Sequence, residues 1–156
     1  MTNTEISVRP ARQDDVSLMA RWAEAMAFET EHKQLDAAVV TRGIQRAFDD
    51  PSKGRYFIAE IDGRPAGTLM FTLEWSDWRD GWWWWIQSVY VDVVFRRRGV
   101  YRALYAHLLG LAQSDPDVTG LRLYVERENT SAKRTYELLG MRDAGYDIYE
   151  ATIRRG

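Results

Sequence analysis

Val91-Asp92-Val93-Val94-Phe95-Arg96-Arg97-Arg98-Gly99-Val100-Tyr101-Arg102-Ala103-Leu104 joins an apolar strand pattern to a helical one through three arginines and a glycine. Before it, Trp83 to Asp92 reads as a long aromatic strand. After it, Gly99 to Ala112 reads as a helix, with Val100, Leu104, Leu108 and Leu111 along one stripe. The first N–H groups of a helix lack intrahelical partners and carry the positive end of its dipole, so such a start suits an anion. Gly99 removes the side chain where a phosphate would approach the backbone. The guanidinium groups of Arg96, Arg97 and Arg98 add charge and hydrogen bonds. Taken alone, the segment is explained equally well as a solvated arginine loop relaxed by a glycine. It matches neither G-x-x-x-x-G-K-[ST] nor G-x-G-x-x-G, which disfavours a P-loop or dinucleotide fold.

Working outward, Asp115-Pro116-Asp117 ends the helix, and Leu121 to Glu126 alternates as a strand. The passage from Val89 to Val125 is thus strand, helix, strand, which implies a parallel crossover. Upstream, Ile6, Val8 and Arg9 read as a first strand. A helix opened by Gln13, Asp14 and Asp15 follows, with Val16, Met19, Ala20, Ala23 and Ala27 at helical spacing. A second helix runs from Asp36 through Phe48. Tyr56 to Ile61 and Gly67 to Glu74 are strands joined by Asp62-Gly63, a strong hairpin signal. Trp75 to Gly81 is a polar loop. Downstream, Asn129 or Thr130 caps a helix ending at Gly140, and Ile148 to Ile153 is a last strand. The order predicts an α/β protein with a mixed sheet, antiparallel where strands succeed one another through short turns.

The 156 residues fit one domain, expected to span 1–156. Lys plus Arg number 21 against 23 for Asp plus Glu, a balance that disfavours a nucleic-acid-coating protein. There is no cysteine, which excludes disulfides, thiolate metal sites and a thioacyl-enzyme. No apolar run approaches the roughly 20 residues that span a bilayer. Met1 to Arg9 lacks a signal-peptide core. A soluble cytoplasmic protein with no membrane or nucleic-acid partner and no metal is expected.

Arg96-x-x-Gly99-x-Tyr101 resembles the [QR]-x-x-G-x-[GA] element of the GNAT superfamily of N-acetyltransferases. Asn129-Thr130-Ser131-Ala132-Lys133-Arg134-Thr135-Tyr136-Glu137-Leu138-Leu139-Gly140-Met141 is similar to that superfamily's N-x-x-A-x-x-x-Y-x-x-x-G-[FM] helix. Two ordered, correctly separated motifs are far more specific than one. Tyr101 stands where the superfamily usually has Gly or Ala, so its side chain points near the phosphates or along the helix. The resemblance implies a mixed, mostly antiparallel central sheet of about six to seven strands. Helices flank it, and a parallel pair splays around a coenzyme A site. Acetyl-CoA is the implied co-substrate. Val89, Tyr90 and Val91 would lie along its pantetheine. Arg96, Arg97, Arg98, Gly99, Val100, Tyr101 and Arg102 would surround its pyrophosphate, and Asn129 would contact the coenzyme. Tyr136 matches the position of the superfamily's general acid.

The amine acceptor must lose a proton, because a lysine-like amine has a pKa of about 10.4. Glu74, at the end of its strand, is the leading candidate base. Asp77, Asp80, Glu29 and Glu31 are alternatives, and each is readily explained as a solvated charge. Trp75, Asp77, Glu29 and Glu31 form a candidate acceptor surface, since aromatic faces with carboxylates suit a cation. In Trp82–Trp85 alternate rings face opposite sides. One pair fills the core, and the other needs a helix, a partner subunit or a ligand over it, so a homodimer is credible. The leading expectation is acetyl transfer from acetyl-CoA to a small-molecule primary amine within a ternary complex. A protein N-terminus or lysine is a related acceptor. A non-catalytic acyl-CoA-binding module is the reading from a different class.

Overall fold

A computed structural model describes residues 5–153, which gather into two compact units, one ending at Leu123 and one beginning at Tyr124. The first unit holds the sheet. Its strands are β1 (Ile6–Pro10), β2 (Arg55–Ile61), β3 (Arg64–Ser76), β4 (Gly81–Val91) and β5 (Val118–Leu123), in spatial order β1-β2-β3-β4-β5. The first three pairings are antiparallel and β4–β5 is parallel. The helices are α1 (Val16–Glu31), α2 (Ala37–Asp49) and α3 (Val100–Ser114), and α3 makes the crossover from β4 to β5.

Local chemistry sets these boundaries. Asp62 and Gly63 adopt φ of 51° and 75°, the left-handed pair of a two-residue hairpin turn. The Asp36 carboxylate accepts from the N–H groups of Ala38 and Val39 at 2.9 and 3.2 Å and so caps α2. Before α1, the buried Asp15 carboxylate takes a two-pronged bond from Arg9 at 2.7 and 3.0 Å and the Arg12 N–H at 2.6 Å. Arg9 also donates to Glu60, which ties β1 to β2.

Alternation along β2 divides the core. Tyr56 and Ile58 face α1 and α2, in a cluster with Met19, Trp22, Ile44 and Tyr90. Phe57 faces the other way, stacking on Phe71 at 5.9 Å and meeting the edge of His107 on α3 at 4.9 Å. Trp84 continues this stack, 4.5 Å from Phe71.

The described residues form five strands, fewer than the six to seven expected. Ile148 to Ile153 is not a strand; Ile148, Tyr149 and Ile153 are exposed and the segment has no ladder. Its apolar composition lacks the paired neighbour that a strand requires. The Trp75–Gly81 loop is also shorter than expected. β3 runs on to Ser76, and a tight turn from Asp77 to Asp80 returns the chain into β4. The strand expected from Leu121 to Glu126 lies earlier, at Val118–Leu123.

In the second unit α4 (Thr130–Leu138) is capped by Asn129, whose side chain accepts from the Ala132 N–H at 3.1 Å. Arg127 and Asp147 pair at 2.6 Å.

Candidate active site

The turn from β4 to α3 is built by Asp92. Its carboxylate accepts from the Val94 N–H at 3.1 Å and from the Trp22 indole at 3.3 Å, fixing a short 3-10 turn (Val93–Phe95). Phe95 is buried, and the guanidinium groups of Arg64 and Arg98 lie over its ring at 5.2 and 5.8 Å. Arg97 (φ 64°) and Gly99 (φ 84°) then take left-handed backbone. A Cβ added at Gly99 would meet only Ile6, at 3.9 Å, so conformation rather than space calls for glycine here. No side chain caps α3. Its first turn opens beside Arg97, Arg98 and Arg102, all exposed. Such turns gather backbone N–H groups into an anion-binding concavity, and the helix dipole adds to it.

Arg96 is held differently from its neighbours. It donates to the Val91 carbonyl at 3.0 Å and to Glu29 on α1 at 2.7 Å, and its guanidinium lies 5.3 Å from the centre of the Tyr90 ring. The Tyr90 hydroxyl donates to the other Glu29 oxygen at 3.0 Å. The Arg96 and Tyr90 bonds hold the Glu29 carboxyl below its ordinary pKa. Burial first, and then the Glu29 carboxylate, push the Tyr90 phenol up.

β4 leaves part of one edge open. Its pairing with β5 ends at Ile86↔Leu123, while pairing with β3 continues to Gly67↔Val91. Between these points lies a bulge: Leu69 faces Val89 but Phe71 faces Ile86, so β4 carries one extra residue. Beyond Ile86, β5 no longer covers β4. An extended amide chain can add to such an edge.

On the α1–α2 side of this stretch lies a cavity of about 190 Å³. Met19, Ala23 and Met26 of α1 and Val40, Gly43 and Ile44 of α2 form its outer wall. Tyr56, Thr68, Ser88, Val89 and Tyr90 form its floor on the sheet. The Thr68 hydroxyl is committed to the Phe57 carbonyl at 2.9 Å. Burial pushes the Tyr56 phenol up, so it is a neutral donor at ordinary pH.

The sequence profile of the acetyltransferase (GNAT) family matches residues 17–141. The chain belongs to this family. A solved structure described as a possible acetyltransferase from Clostridium difficile 630 is 41% identical and superposes with a TM-score of 0.91, covering 96% of this chain and 99% of that one. Two more distant structures share the GNAT fold. The aminoglycoside N-acetyltransferase AAC(6')-Iy in complex with CoA is 14% identical with a TM-score of 0.76, covering 96% of each chain. The ribosomal-protein-alanine N-acetyltransferase from Brucella melitensis biovar Abortus 2308 is 17% identical with a TM-score of 0.74, covering 96% of this chain and all of the other. No curated protein matches the chain significantly. Membership of the GNAT family makes this protein an acyltransferase.

Of the residues singled out in the sequence, Val89, Tyr90, Val91, Arg96, Arg97, Arg98, Gly99, Val100, Tyr101 and Arg102 are contiguous with the open edge and the turn. Val100 is buried, and the Tyr101 ring lies beside Tyr105, 6.4 Å away along the helix. Glu29 joins them through Arg96 and Tyr90, so its carboxylate is engaged with the turn. Glu74, the candidate base, pairs with Trp83, six residues before Val89, or roughly 20 Å along the strand. Its carboxylate accepts from Arg122 at 3.1 Å. Trp75 and Asp77 share that far end, where Trp75 meets the edge of Trp82 at 4.9 Å. Glu31 is exposed and 3.5 Å from Lys33. In the second unit Asn129 caps α4, and burial pushes the half-buried Tyr136 phenol up. No cluster of potential metal ligands occurs among the described residues, and no helix there is long and apolar enough to cross a membrane.

The cavity residues on α1 and α2 were legible only as helical core positions. The one signal that marks a cavity there is Gly43, a glycine inside a helix, where it costs about 1 kcal/mol relative to alanine.

Proposed function

We propose that this GNAT protein transfers the acetyl group of acetyl-CoA to the primary amine of a small molecule, directly and within a ternary complex. The observation that carries this is the continuity of an uncapped α3 start, ringed by exposed arginines, with a β4 edge that β5 leaves open. A diphosphate fits the first, and the amide chain of pantetheine fits the second. The CoA in the solved aminoglycoside N-acetyltransferase complex supports the choice of donor.

The reaction is one bond exchange. The amine nitrogen attacks the thioester carbonyl, and a backbone N–H of the Val89–Val91 stretch stabilises the oxyanion. The C–N bond forms, the C–S bond breaks, and the amine proton leaves to water. The departing thiolate takes a proton from Tyr136, whose hydroxyl burial keeps protonated, and the proton that the amine gave to water restores the Tyr136 hydroxyl, so no proton is gained or lost overall. Asn129 holds the start of the Tyr136 helix.

Titration with CoA and acetyl-CoA tests the donor. The native protein binds both, and Gly99→Glu, which sets bulk and negative charge at the helix start, binds neither. Unchanged affinity in a folded Gly99→Glu variant refutes the placement.

A further inference from the structure

The cavity beside the β4 bulge says what kind of amine this site takes. Its outer wall is hydrocarbon and thioether, from Met19, Met26, Val40 and Ile44. Its polar groups are hydroxyls and backbone, and no charged side chain lines it. Two acids near the Tyr90 end of the cavity, Glu29 on α1 and Asp92 just after β4, are already committed. Both oxygens of Glu29 serve Arg96 and Tyr90, and the Asp92 carboxylate serves Trp22 and Val94. A multiply charged guest would lose its water here and find no carboxylate, a cost of several kcal/mol per charge. The volume of about 190 Å³ exceeds the 150 Å³ or so of an apolar cavity that holds benzene.

We propose that the acceptor is a primary amine on a compact, uncharged apolar body, such as an aromatic ring or a branched chain, and not a polycation. The body fills the space between α1 and α2, and the amine faces Ser88 and Val89. This deepens the acetyl-transfer reading and rests on it. Desolvation in this cavity disfavours the ammonium form, so the amine is taken up neutral. The site then needs no carboxylate base, in keeping with the distance of Glu74.

Gly43 provides the test. It lines the cavity, and a Cβ added there meets nothing within 4 Å. Gly43→Leu therefore adds bulk at the cavity wall, with its Cβ unobstructed, while improving helix propensity. Thiol release from acetyl-CoA is measured with benzylamine, isoamylamine, spermidine and neamine. The two apolar amines give kcat/KM at least 100-fold above the two polycations, rising about tenfold per pH unit below the amine's own pKa. Gly43→Leu, or Val40→Phe should that variant be unstable, raises the KM for benzylamine at least tenfold and leaves CoA affinity and melting temperature undiminished. Preference for spermidine or neamine, or an unchanged benzylamine KM in both filled variants, overturns the proposal. Failure of the native protein to bind CoA would instead overturn the donor reading, so the two are separately decided.

Discussion

The Glu29 carboxylate and the Arg96 guanidinium meet at 2.7 Å, joining the last turn of α1 to the first residue of the Arg96–Gly99 turn. The pair is about two-fifths exposed on each side, so its worth to global stability is at most about 1 kcal/mol. Its larger effect is local, because Arg96 also holds the Val91 carbonyl, and the turn beyond it carries two left-handed residues.

Glu29→Gln should therefore weaken CoA binding by about three- to fivefold, a loss of up to ~1 kcal/mol. Calorimetric titration reads it directly. Equal or tighter binding would mean that the turn keeps its shape without α1.

Tyr136→Phe should lower kcat by about 100-fold or more, within the range of a lost general acid, with CoA affinity unchanged. Single-turnover acetyl transfer and a CoA titration separate the two effects. Retained turnover would remove Tyr136 from the proton inventory.

Asp15→Asn should destabilise the protein by about 2 kcal/mol, the scale of hydrogen bonds to a charged group. Burial pushes the Asp15 carboxyl up, but the Arg9 and Arg12 bonds outweigh it, and the net folded pKa is lowered. A lowered folded pKa gives stability that is fully present above the unfolded value of about 3.9 and is lost as pH falls through the folded value. The melting-temperature gap between native protein and variant should thus stay constant above about pH 5 and close progressively below pH 4. A gap that widens in acid would reverse the assignment.

Arg122→Ala should cost about 1–2 kcal/mol and raise solvent quenching of tryptophan fluorescence. Arg122 lies 3.8 Å from the centre of the Trp83 ring and 5.9 Å from that of Trp85. Its guanidinium lies over both rings on one face of β4. Unchanged quenching would show that the rings are covered by something else.

Much of the fold is legible locally. Asp62-Gly63 announces its hairpin through two positive φ angles, and Arg96–Gly99 announces the helix start through charge and a glycine. The features that went unread are those set by register. Nothing in Ile86-Gln87-Ser88-Val89 signals an extra residue, because a bulge is a count of one strand against another. The neighbour of Glu74 across the ladder, Trp83, is set in the same way. A strand end is near a site only at the right end of its neighbour, and pairing alone decides which end. Ile148 to Ile153 carries the composition of a strand without a ladder to join. The cavity between α1, α2 and the sheet has no local signal, because Met19, Val40 and Ile44 have the same spacing whether they meet protein or a guest.

The surplus residue in β4 has a further outcome for how this protein can change over time. It resets the inside–outside phase midway along the strand, so the tryptophan half and the half that carries Val89 and Tyr90 obey separate parity rules. Losing that one amino acid would make the ladder regular, with Tyr90 still opposite Thr68 and Trp84 still on Phe71, but would remove the local bend and twist of β4 beside the cavity. A change of length near Gln87 should therefore alter the shape of the open edge without turning either half over, whereas the Asp77–Asp80 tip, upstream of the reset, is free to vary in length.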